Sequence, residues 1–212
     1  RVFDEYMADE WSEVKVLAVG SVAGSIFVGN RDISTMEGLK GAKLVPFAPS
    51  TSPVIEALGA VPVMMEITDM YTALDTGTVD VLTTSFNSLM PPWNLEDVAT
   101  HVAENVPASF QVLFVAMNKE RYEGLSDEHR AIIDEVAGLP MSQMMAKSFD
   151  SADEIFLNMK DGADLKYEWK VVSDAERAKM DAAVRLGMEE VYADYAARGV
   201  SNAKEIYEAM ND

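Results

Sequence analysis

The chain has 212 residues, 49% of them hydrophobic, with 36 acidic against 17 basic residues and a formal net charge of −19. That length and apolar content suffice to bury a core in one domain or two small ones. The charge argues against nucleic acid or an anionic membrane surface as partner, and the absence of cysteine removes disulfides, thiolate catalysis and Cys-based metal sites.

No run reaches the roughly 18 apolar residues needed to span a bilayer. No signal peptide is visible and the first residue is Arg1, so the chain reads as an interior or trimmed segment of a longer protein. Residues 3–12 read as a helix end. KVLAVG (15–20) and SIFVGN (25–30) are short apolar runs closed by Gly or Asn, which suits buried strands, and KLVPF (43–47) is another. Ser52 is placed to cap a helix with Pro53 at its first position, and Gly59 stops it. VPVMM (61–65) returns as a strand. Thr68 caps the next helix, with Met70, Tyr71 and Leu74 on its apolar side and Gly77 at its end, before VDVLTTS (79–85) forms a strand again. Strand, helix, strand, helix, strand with short turns is the pattern of an α/β fold with a parallel or mixed sheet.

FQVLFVAMN (110–118) is the strongest later strand. Ser126 then caps a long helical region that Gly138 and Pro140 should kink or break. KYEWKVV (166–172) reads as a strand, Ser173 and Glu176 as a capping box, and Met180, Val184, Met188, Val191 and Tyr195 as the core stripe of a helix. A last helix covers about 201–210.

Catalytic signals are weak. His101 and His129 read as structural and solvated residues, there is no G-x-S-x-G, and no phosphate-cradling glycine loop appears. DGADLKYE (161–168) lacks the spacing of a calcium loop. Nothing assembles a nucleophile, a base and an oxyanion hole, so neither an enzyme nor a cofactor is expected.

Three stretches, in order, resemble one family. EGLKGAKLVP (37–46), LGAVPVMMEITDMYTALDTGTVDVL (58–82) and FVAMNKERYEGLSDEHRAIIDEVA (114–137) are similar to the DctP-type solute-binding proteins of TRAP transporters. The resemblance runs over nearly the whole chain, with the family's N-terminal third missing. It implies a two-lobed periplasmic-binding-protein-like α/β fold, with mixed sheets flanked by helices and an incomplete first lobe. Residues 25–110 and 151–212 would form the second, solute-binding lobe, and 1–24 and 111–150 the remnant of the first lobe and the hinge. It also implies a periplasmic, monomeric receptor that closes on a small solute and delivers it to TRAP membrane subunits.

The match departs from the family at the ligand. The family's carboxylate-clamping arginine should follow the positions of Lys43 and Leu44, but Val45 and Pro46 stand there. A second arginine of sialic-acid-type members falls on Ser25, and the usual asparagine after Val-Asp falls on Thr84. The solute would then be held by Ser50, Thr51 and Ser52, by the free N–H groups of the helix starting near Ser52, by Thr83, Thr84, Ser85, Asn87 and Gln111, and by the rings of Phe47, Phe86 and Trp93. A neutral or amine-bearing solute, with Glu66 or an acid of the missing lobe as counter-charge, is the favoured reading. An organic acid held by the helix N-terminus, and the ligand-binding domain of a sensor protein, are the alternatives.

Overall fold

The computed structural model describes Tyr6 and residues 11–22, 25–107, 111–160 and 165–211. Most of the expected helix end over 3–12 and the first half of the segment 161–168 lie outside the described residues. The first part of the chain runs through β1 (Val14–Val22), β2 (Ser25–Gly29), α1 (Met36–Leu39), β3 (Lys43–Val45), α2 (Ser52–Ala57), β4 (Val61–Pro62), α3 (Met70–Asp75), β5 (Val81–Ser85) and β6 (His101–Glu104). It continues through β7 (Gln111–Asn118), α4 (Lys119–Glu123), α5 (Asp127–Val136), α6 (Leu139–Lys160), β8 (Glu168–Val171), α7 (Asp174–Ala197) and α8 (Ala203–Asn211).

Two sheets result. Six strands assemble in the order β4-β3-β5-β2-β6-β8, while β1 and β7 form an antiparallel pair of their own. β3 runs parallel to β4 and to β5, β2 antiparallel to β5 and β6, and β8 parallel to β6, so the larger sheet is mixed.

Alternation along the strands divides the core in two. Leu44, Val81, Phe27 and Ala103 face one layer, packed with α2 and α7 residues such as Val54, Ile55, Met180 and Val191. Their neighbours Val45, Leu82, Ile26, Val28 and Val102 face the other, with Leu74, Phe86, Leu89 and Phe156. Strands with both faces covered read as continuous apolar runs, which is why β2 and β5 are so legible. The stripe on α7 lies where its spacing puts it: Met180 and Val191 are buried and Val184, Met188 and Tyr195 pack partly against the first layer. α7 approaches α2 so closely that a Cβ at Gly187 would sit 2.5 Å from the Cα of Val54 and 2.8 Å from the carbonyl oxygen of Pro53.

Several boundaries differ from the sequence reading. A turn of 3-10 helix over Pro49–Thr51 precedes α2, so Ser52 is its first residue rather than its cap. A similar turn, Ile67–Asp69, precedes α3 and holds Thr68, which caps nothing. β4 stops at Pro62, a residue without an N–H that is tolerated because β4 is an edge strand. The chain breaks at Gly138, whose φ of +74° favours glycine. Pro140 does not break α6: it sits in the first turn, where its missing N–H has no helical partner to lose. The capping box is half formed. Ser173 accepts from the Glu176 N–H at 3.3 Å, but the Glu176 carboxylate instead accepts from the Met36 N–H at 3.1 Å.

Candidate functional site

β5 leaves the sheet at Ser85 into a 3-10 turn, Phe86–Leu89, and the chain then loops through residues 90–94 to a second such turn, Leu95–Asp97. Asn94, at φ 51°, makes the reversal; asparagine tolerates this left-handed backbone better than most residues. Opposite stand the Ile67–Asp69 turn and the start of α3. Between them opens a cavity of about 400 Å³. Ile67, Met70, Tyr71, Pro92, Trp93 and Leu95 give it apolar walls, and Thr68, Thr84, Ser88 and Asn94 give it polar points. Its floor is a hydroxyl pair: Thr84 Oγ1 and Ser88 Oγ lie 2.6 Å apart, and Ser88 Oγ donates to the Ser85 carbonyl, also at 2.6 Å. None of these lining residues is charged. Ile67 and Tyr71 remain 50% and 39% exposed, so the mouth is rimmed with apolar surface open to solvent.

Of the residues singled out from the sequence, only Thr84 and Trp93 line this cavity. Phe47, Thr51 and Thr83 line a separate void of about 20 Å³ on the opposite face of β5, walled by Phe27, Val54, Ile55 and Leu58. The physical reason is the strand pleat: Thr83 shares a face with Val81, and Thr84 shares one with Leu82. Thr83 Oγ1 is buried and finds no hydrogen-bond partner among the described residues.

The hydroxyl loop is engaged with itself. Thr51 Oγ1 donates to the Ala48 carbonyl and Ser52 Oγ to the Pro49 carbonyl, each at 2.8 Å. The backbone N–H groups of Thr51 and Ser52 bond to the same two carbonyls. Those two backbone donors are therefore occupied, and short side chains of this type commonly turn back on local backbone in this way. Ser50 is half-buried in the same turn and lines neither cavity.

Phe86 is core rather than a solute platform. Its ring stacks on Phe156 at 5.6 Å and Trp169 at 5.8 Å, and Phe156 stacks on Trp169 at 5.5 Å. Ser85 Oγ donates to Asn87 Oδ1 at 2.5 Å, so those two are paired with each other. Gln111 stands opposite Val22 at the start of β7, and its side chain lies outside the described residues. Glu66 is exposed at the head of the Ile67 turn and does not line the cavity. The residues that sequence reasoning missed as site candidates are Ile67, Thr68, Met70, Tyr71, Ser88, Pro92, Asn94 and Leu95. One signal was available: Ser88 follows Thr84 by one turn's reach.

Burial favours the neutral form of two titratable groups, Tyr167 and Asp153. The Tyr167 hydroxyl is pushed up to about 12 by burial and the Glu96 charge. Burial, with Asp150 adding to it, raises the Asp153 carboxyl on α6 to about 6. On the far edge of the sheet Asp32 goes the other way, to about 2, because Lys170 and Ser34 hydrogen-bond its carboxylate. Among the described residues no group of three or more acidic or histidine side chains is arranged to hold a metal.

Comparison with known proteins places this architecture. Residues 4–197 match the family model of the bacterial extracellular solute-binding proteins, family 7 (DctP). The chain belongs to that family. A curated relative, the outer membrane transporter protein TsaT of Comamonas testosteroni, is 30% identical over 151 residues, which is 69% of this chain but 44% of that protein. A solved TRAP solute-binding protein from an unidentified marine microbe, described as specific for aromatic acid ligands and bound to metahydroxyphenylacetate, is 26% identical with a TM-score of 0.86. It is matched over 99% of this chain and 66% of its own. A TRAP solute-binding protein of Rhodoferax ferrireducens, solved with copurified benzoate, has the same fold at 21% identity and a TM-score of 0.86, over 97% of this chain and 65% of its own. The chain thus spans less than half of the curated relative and about two thirds of the solved ones. The family and its structural relatives are two-lobed periplasmic solute-binding proteins, not enzymes. No described helix is long and apolar enough to cross a membrane.

Proposed function

We propose that this chain is the solute-binding portion of a receptor that captures a small ring-bearing organic solute outside the cytoplasmic membrane and passes it, as a monomer, to TRAP-type membrane subunits. The larger sheet with its helices, residues 25–110 and 151–212, serves as the solute lobe. The β1–β7 pair with residues 1–24 and 111–150 belongs to the hinge and the other lobe. α6 bridges the two regions, since Met145 meets Gly20 of β1 at one end and Phe156 meets Phe86 at the other.

One observation carries the reading: the cavity at the end of β5 has flat and apolar walls, Tyr71 and Trp93 among them, with a few fixed hydroxyls and no charge. Ligand sites are concave and mostly apolar with few polar groups that fix orientation. Such walls suit a ring, and they put any carboxylate of the solute outside the cavity. The marine relative's aromatic acid supports a ring-bearing acid. The neutral or amine-bearing solute favoured from the sequence gains no support from the relatives.

The test is a thermal-shift screen of the full-length protein, followed by calorimetry, against aromatic acids, sugars, polyols and amines. A ligand that binds only the folded state raises the melting temperature. Aromatic acids are expected to give the largest shift. Shifts from sugars or aliphatic amines alone would overturn the proposal.

A further inference from the structure

Resting on that reading of the wide cavity, the geometry points to selection of a ring that carries a hydrogen-bond donor, a hydroxyl above all, with Thr84 as the residue that recognises it. A serine or threonine hydroxyl has one hydrogen to give and two lone pairs to receive with. Ser88 Oγ lies 2.6 Å from the Ser85 carbonyl oxygen, which only accepts, so the Ser88 proton is directed there. Ser88 Oγ also lies 2.6 Å from Thr84 Oγ1. With its proton already placed, Ser88 is the acceptor in that contact and Thr84 the donor. Thr84 therefore faces the cavity with lone pairs only.

The polarity of this floor is set by the backbone, because the chain of donors ends on a main-chain carbonyl that cannot reverse. Both residues are largely buried, and each hydroxyl proton is already engaged along this chain at 2.6 Å. A solute group next to Thr84 is accepted when it brings a proton. An ether or a carboxylate oxygen there sets acceptor against acceptor, and a bare ring leaves the Thr84 lone pairs dry. An ammonium brings protons but also a charge, and none of the lining residues carries a counter-charge to it. A neutral hydroxyl on a ring satisfies both conditions, with the ring against Trp93 and Tyr71.

The experiment measures, by calorimetry on the full-length protein, the affinities of meta-hydroxyphenylacetate, phenylacetate and meta-methoxyphenylacetate. The hydroxylated compound is expected to bind about tenfold tighter than phenylacetate, the size of one well-made neutral hydrogen bond, and the methoxy compound weaker than both. Thr84→Val should remove the difference between the hydroxylated and bare rings. Ser88→Ala releases the Thr84 proton, so the methoxy compound should gain on the hydroxylated one, a reversal that a mere packing role for Thr84 does not produce. Equal binding of all three by the wild type would overturn this inference and leave the ring receptor standing. Binding of none would overturn both. A hydroxyl preference that survives in a folded Thr84→Val variant would remove Thr84 from the role.

Discussion

Thr83 and Thr84 are consecutive residues of one strand, and they open onto two unlike spaces. The Thr83 side is closed: α2 lies over it, α7 lies over α2, and what remains is a void of about 20 Å³. The Thr84 side is roofed by turns rather than by a long helix, and about 400 Å³ stays open. The two faces start from the same strand and the same residue type. The difference comes from what packs on each, since a helix pressed on a sheet fills the interior to near-crystalline density whereas loops held apart by turns do not. Functional space here is a place where helix packing stops.

The largest effect should come from disturbing the closed face. Gly187→Ala drives a methyl group into α2 backbone, which cannot give as a side-chain tip would. It should cost about 3 kcal/mol, seen as a lower urea midpoint. Next comes the open face: Trp93→Ala should weaken solute binding about tenfold, the loss of one aromatic wall, measured by calorimetry. Phe47→Ala, on the closed face, should lower the melting temperature and leave that affinity unchanged. Equal loss of affinity from both would erase the distinction between the faces.

The threonine pair sharpens the same contrast. Thr83→Val replaces a buried hydroxyl that finds no partner among the described residues with a methyl of the same shape, and should leave stability unchanged or raise it by about 1 kcal/mol. Thr84→Val breaks the bond to Ser88 and should lower it by about 1 kcal/mol, so of the two variants only this one lowers the thermal midpoint. The last effect is one of pH, at Asp153 on α6. Its folded-state value is raised, so its contribution to stability is complete below the ordinary value of 3.8 and is lost as the pH climbs through about 6. Asp153→Asn should therefore melt higher than the wild type at neutral pH, with the gap closing below pH 3.8.

Much of the fold was legible in the residues. β1, β2, β5 and β7 announce themselves as apolar runs, Ser126 and Ser173 cap the helices they precede, and the stripe from Met180 to Tyr195 faces the core. The site was legible only in part. Treating Thr83, Thr84 and Ser85 as one patch ignored the pleat, which sends alternate residues to opposite faces. Counting Thr51 and Ser52 as donors ignored carbonyls three residues back that capture their protons. Phe86 looks available to a solute in the sequence because nothing local shows that Phe156 and Trp169, far along the chain, stack on it. Tyr71 and Ile67 were missed because their exposure is decided by the turn that places them and not by their own periodicity.

The chain has three tryptophans, and their positions give it a built-in optical reporter. Trp93 lines the open cavity, Trp169 lies behind it against Phe86, and Trp11 packs edge-on to Phe114 beside the β1–β7 pair. Water displaced from Trp93 by an arriving ring shifts that indole's emission to the blue, while Trp11 keeps a constant background. Occupancy of the cavity can thus be followed by fluorescence on unlabelled protein, and a Trp93→Phe variant should go dark to the solute while still emitting.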